Sequence, residues 1–136
     1  MDENGQSRVR RLLPDLLKRA NAPIDVQLPA YQQLVDAGDA DAMAWLAARY
    51  QAGEGVPADA VQARQLYERA AAGGSVDGLR ELGKLKEAEG DEAGARAAYE
   101  QAAELGNDAY ARDRLAEHFG LSWYARKKKK GAKKKG

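Results

Sequence analysis

A chain of 136 residues has the length of one domain, and with 44% hydrophobic and 32% charged residues it can bury a core. Cysteine is absent, which excludes disulfides and thiol nucleophiles, and no apolar run approaches the ~18 residues of a membrane span. The net charge of +1 hides an asymmetry: residues 127–136 hold seven lysines and no acid, leaving −6 on residues 1–126.

Residues 1–6 are polar. From Ser7 an amphipathic pattern begins, with Val9, Leu12, Leu13, Leu16 and Leu17 on one helical face and Arg8, Arg10, Arg11, Lys18 and Arg19 mostly on others. Pro14 either kinks this helix or is the first residue of one that runs to about Ala20. The plain reading is a helix that caps the open end of the domain; the other is a basic amphipathic helix for a membrane or an acidic partner. Ile24-Asp-Val-Gln-Leu28 alternates apolar and polar, so residues 1–28 read as a capping helix followed by an extended link. Pro29 then starts a helix to Ala37, and Gly38 closes it in the left-handed conformation. Asp39 or Asp41 caps the next helix, which runs to about Ala52.

Internal copies appear from here on. The motifs beginning at Tyr31, Tyr67 and Tyr99 each run into alanines and a glycine, and the tyrosines lie 36 and 32 residues apart. Leu46, Leu82 and Leu115 recur at intervals of 36 and 33. A period in the thirties that alternates two helices predicts an all-α fold, an α-α superhelix of antiparallel helix pairs over residues 29–124. In the central copy Leu46, Tyr50, Ala63, Leu66, Tyr67 and Ala70 interlock the two helices. Gly53 and Gly55 give the hinge positive φ, Pro57 fixes the exit, and Asp59 caps the second helix. The next copy is expected as helices from Val76 to Glu89 and Glu92 to Glu104. Gly78, Gly83 and Gly94 fall inside them and weaken them. A last helix runs from Asp108 to about Phe119, with Leu121, Trp123 and Tyr124 folding back over its end.

Ala42-x3-Leu46-Ala47-x2-Tyr50-x2-Gly53-x-Gly55-Val56-x2-Asp59-x3-Ala63-x3-Tyr67-x2-Ala70-Ala71-x-Gly73 resembles a Sel1-like repeat, a branch of the tetratricopeptide superfamily. Leu79, Leu82, Gly83, Ala95, Tyr99 and Ala102 follow the plainer tetratricopeptide pattern, with Gly83 at its close-packing position. Lys86 stands where an aromatic is usual and Asn107 where proline is common. The resemblance covers residues 27 to 120 and lacks the cysteine pair that some Sel1-like proteins use in each repeat. It implies a protein-interaction scaffold whose concave groove is lined by the first helix of each pair. Those positions are Asp41, Ala44, Trp45 and Ala48, then Asp77, Arg80, Glu81 and Lys84, then Tyr110, Asp113, Arg114 and Glu117. Ala44, Ala48 and Glu81 do not supply the lysine and asparagine clamp of the chaperone-binding branch. Trp45, Arg80, Lys84, Tyr110 and Arg114 form the expected partner-binding patch, an aromatic and arginine composition typical of interface hot spots.

No catalytic constellation is found. His118 is the one histidine, too few for a His-rich metal site, and no HExxH pattern exists. Gly53-Glu-Gly55 and Gly73-Gly-Ser75 lack the Lys-Ser/Thr of a phosphate loop. Asp39/Asp41 and Asp91/Glu92 sit at helix starts, where the dipole favours negative charge. The expectation is a non-enzymatic adaptor without cofactor or metal, cytoplasmic, monomeric or weakly self-associating, with a protein as partner. The segment from residue 125 to 136 carries Arg126, Lys127, Lys128, Lys129, Lys130, Lys133, Lys134 and Lys135. It reads as a disordered polylysine tail with several possible roles: an appended attachment tail, a non-specific ligand for nucleic-acid phosphates, or a contact for acidic proteins, lipids or its own acidic domain. The alternative function is therefore a nucleic-acid-associated protein, with Trp123 and Tyr124 available to stack on bases.

Overall fold

A computed structural model describes residues 22–125; the expected capping helix and the polybasic segment 126–136 lie outside the described residues. Six helices follow in order: α1 (Ile24–Asp36), α2 (Ala40–Ala52), α3 (Ala60–Ala72), α4 (Val76–Ala88), α5 (Glu92–Gly106) and α6 (Ala109–Glu117). A last helical turn covers residues 122–125, and no strand occurs among the described residues. Neighbours in sequence pack on one another, α2 with α3 and α4 with α5 most extensively, and α2 also touches α4. This is the all-α repeat arrangement that the tyrosine and leucine spacing predicts.

Helix starts are written locally. Asp39, Asp59, Ser75, Asp91 and Asp108 stand at the N-caps of α2 to α6, and each side chain accepts from a backbone N–H of the first turn. Asp59 takes two, from Val61 and Gln62, both at 3.1 Å. Each such cap contributes ~1 kcal/mol. Of the two candidates for α2, Asp39 is the cap, with the Ala42 N–H at 3.0 Å.

The extended link expected over residues 24–28 is a correction: these residues are the first turns of α1, and Pro29 lies inside the helix rather than at its start. Pro23 occupies the N-cap, and its carbonyl accepts from Val26 and Gln27 at 3.0 Å. Ile24, Leu28, Tyr31 and Val35 recur at helical spacing, and that period outweighs the short alternation seen in the sequence. The first turns are held from outside as well. At Gly55, where φ is +79, a Cβ would come within 2.4 Å of Leu28 and 2.8 Å of Ile24. A side chain there would push α1 off the α2–α3 hinge.

Two apolar clusters form the core. One joins Leu34, Val35, Leu46, Ala63, Leu66, Tyr67 and Ala70; the other joins Leu79, Ala95, Tyr99, Ala102, Ala111, Leu115 and Tyr124. The interlock expected of the central copy is present, with Tyr50 at its edge. The glycines of α4 and α5 prove to be packing devices. A Cβ on Gly78 would stand 2.7 Å from that of Ala70, one on Gly83 2.6 Å from the Tyr99 ring, and one on Gly94 against the capping carboxylate of Asp91. Asn107 ends α5 at φ 53, a left-handed conformation closed to the proline common at that position but tolerated by asparagine. Leu121 and Tyr124 fold back onto α5 and α6 as expected, whereas Trp123 remains 44% exposed.

Candidate functional site

Because α2 and α4 lie side by side, their outward residues line one concavity of about 650 Å³. Asp41, Ala44, Trp45 and Ala48 of α2 and Asp77, Arg80 and Glu81 of α4 all line it. The small alanines leave the space, and the larger side chains frame it. Trp45 stands partly buried at the wall, stacked face to face on Tyr31 of α1 at a centroid distance of 3.9 Å. Arg49, one turn further along α2, lies over the same indole at 4.9 Å. Tyr67 of α3 reaches the groove from below, 2% exposed, with its hydroxyl 3.2 Å from the Gln51 side-chain oxygen. Burial first and the Glu81 carboxylate second push the Tyr67 phenol up to about 12.

Among the described residues, charge in the groove is mostly negative: Asp39, Asp41, Asp77 and Glu81 line it with a single cation, Arg80. Arg80 is itself engaged, with Asp77 at 3.1 Å, Glu81 at 3.3 Å and the Asp108 cap at 2.9 Å. Burial alone would lower its pKa, but the hydrogen bonds to Asp108 and Glu81 outweigh it and the pKa rises. Arg80 thus ties α4 to the start of α6 while facing the groove.

The five residues expected to form one patch divide into three places. Trp45 and Arg80 line the concavity. Lys84 lies one turn beyond, its ammonium 4.6 Å over the ring of Tyr110 and 3.3 Å from Glu81. Tyr110 is 41% exposed and tilts against Tyr99. Arg114 stands apart, in a polar cluster where the Glu87 carboxylate accepts from Arg114 and from the Tyr99 hydroxyl at 2.6 Å. The Arg114 hydrogen bond is the chief cause that lowers the Glu87 pKa, and burial and the same carboxylate raise that of Tyr99. His118 borders this cluster at 3.4 Å from Glu87 and 3.0 Å from Glu92. Arg114 is therefore a strut between α4 and α6 before it is a contact for anything else.

Reading the sequence for the groove missed Tyr31, Leu34, Asp39, Ala42, Gln51 and Tyr67, all of which line it. Tyr31 carried a signal, since it heads the first copy of the tyrosine motif. Tyr67 heads the second copy in the same way; Leu34 enters from α1, and Asp39, Ala42 and Gln51 belong to α2 itself, at its cap, first turn and last turn. Among the described residues no group of three or more His, Asp or Glu side chains is placed to hold a metal ion. No helix among the described residues is long and apolar enough to cross a membrane. No family model matches this chain, and no curated protein matches it as a relative.

Proposed function

We propose that this chain is a non-enzymatic interaction adaptor of the Sel1-like kind that its repeats resemble, holding a segment of a partner protein in the groove between α2 and α4. The observation that supports this reading is the groove itself. It has room for a row of side chains, a stacked aromatic pair at one wall and charged groups around its rim. Aromatic side chains beside a desolvated concavity are where binding energy concentrates at interfaces. The Lys84–Tyr110 pair extends the same face toward α6. A cytoplasmic setting belongs to the same proposal.

The test is partner capture by the full chain and its variants. Trp45→Ala is expected to weaken capture by about tenfold or more, the scale of a hot-spot residue, and Arg80→Glu to shift it through the changed charge of the groove. Gln65→Ala, on the exposed side of α3, leaves capture unchanged. Thermal melts of each variant separate lost contact from lost fold. Capture that ignores both groove substitutions sinks the proposal.

A second reading is favoured by Trp123, which is exposed and stacked on Tyr124 at 3.8 Å directly before the polybasic segment. There the chain would hold single-stranded nucleic acid through base stacking and phosphate contacts. Its affinity for RNA or DNA would fall steeply with salt and vanish on removal of residues 126–136. Affinity that survives that removal contradicts it.

A further inference from the structure

The groove assigned above to a partner carries four carboxylates and one arginine, and that arginine is already paired with three acids. Such a lining repels acidic peptides and favours cationic ones. Residues 126–136 supply the complement: one arginine and seven lysines with no acid.

Geometry brings the two within reach. The Tyr124 carbonyl accepts from one terminal nitrogen of Arg112 at 2.9 Å, while the other donates to the Asn107 side chain at 2.8 Å. Tyr124, one residue before the last described one, therefore sits beside the α5–α6 junction. Asp108, the next residue of that junction, receives Arg80 from the groove at 2.9 Å. An extended segment of this length spans roughly 35–40 Å, several times the ~10 Å diameter of one helix. A tether this short also holds its lysines at an effective concentration in the millimolar range, so weak individual contacts suffice.

We infer that residues 126–136 dock in the groove of the same chain, their lysines against Asp41, Asp77 and Glu81, and so occupy the surface that the proposed function gives to a partner. The inference rests on that reading of the groove. It also fixes the partner's chemistry: a segment that displaces the docked one must itself be rich in lysine or arginine.

The experiment uses the full chain with Ala132→Cys, the only thiol present, carrying a nitroxide. Amide signals of Asp41, Trp45, Ala48, Asp77 and Glu81 are expected to lose intensity about twofold or more at ~0.02 M salt, independently of protein concentration, and to recover near ~0.5 M. Recovery is also expected on replacing Lys127, Lys128, Lys129 and Lys130 by serine, which leaves the described helices untouched. Asp41→Asn with Asp77→Asn should do the same. Groove signals that keep full intensity at low salt overturn the inference. So does broadening that appears only when labelled chains are mixed with separate isotope-enriched ones, which would make a second copy the occupant. An unbroadened groove combined with partner capture that still needs Trp45 defeats the docking alone. Broadening combined with capture indifferent to Trp45 defeats the adaptor reading alone.

Discussion

Tyr99 and Gly83 act as one device. The fully buried ring fills the space that the missing Cβ leaves, and its hydroxyl reaches Glu87 at 2.6 Å. Tyr99→Ala is expected to cost ~3–5 kcal/mol, on the scale of other large aromatic truncations. Gly83→Ala should cost ~1–3 kcal/mol despite the better helix propensity of alanine, because the new methyl meets the ring. In the double variant the clash disappears, so urea unfolding should show a cost smaller than the sum by about 1 kcal/mol or more. Simple additivity would mean that the two do not touch. Tyr67 makes a second residue-scale case. Its folded pKa is raised to about 12 from 10.0, so its contribution is full below pH 10 and is lost as pH rises from 10 through 12. Unfolding midpoints should fall over that window, and less steeply in Tyr67→Phe; equal slopes would refute the assignment.

At the level of elements, every described helix after the first begins on a side-chain cap, and the sequence shows this directly because a cap needs only its own first turn. The exception is α1, whose start depends on Pro23 and on the hinge around Gly55 rather than on a polar cap. Its true boundary was accordingly hidden in residues 24–28. Besides Arg80 and Asp108, Glu87 and Arg114 join α4 to α6. Because the folded pKa of Glu87 is lowered, its contribution is complete above the ordinary value of 4.5 and is lost as pH falls through its folded value. Glu87→Gln should therefore destabilise by ~1–2 kcal/mol at pH 7. The gap from the parent chain, followed by urea unfolding, should close as the pH is lowered. A gap that stays constant down to pH 3 would show that charge plays no part.

Across the whole molecule the balance of charge decides what the groove can hold. The expected patch of Trp45, Arg80, Lys84, Tyr110 and Arg114 holds three cations, yet Arg80, Lys84 and Arg114 each face carboxylates. At this scale Arg80→Glu is informative in a second way. Besides changing the charge of the groove, it removes the link to Asp108, so amide exchange at the start of α6 should rise several-fold. Unchanged exchange there would deny Arg80 its bridging role.

The sequence by itself determined the helical repeat, its period, the caps and the burial of Tyr67 and Tyr99, because these follow from local hydrogen bonding and from apolar spacing along one helix. It also located most of the groove wall on α2 and α4, since residues on one face share a helical period. Only the tertiary structure decided how the charges around the groove are paired. Pairing between Arg80 and Asp108, or Arg114 and Glu87, joins residues 28 and 27 positions apart, and a linear reading sees the cation without the acid that neutralises it. Gly78 and Gly83 of α4 follow the same rule, for the space each one leaves belongs to Ala70 of α3 or to Tyr99 of α5.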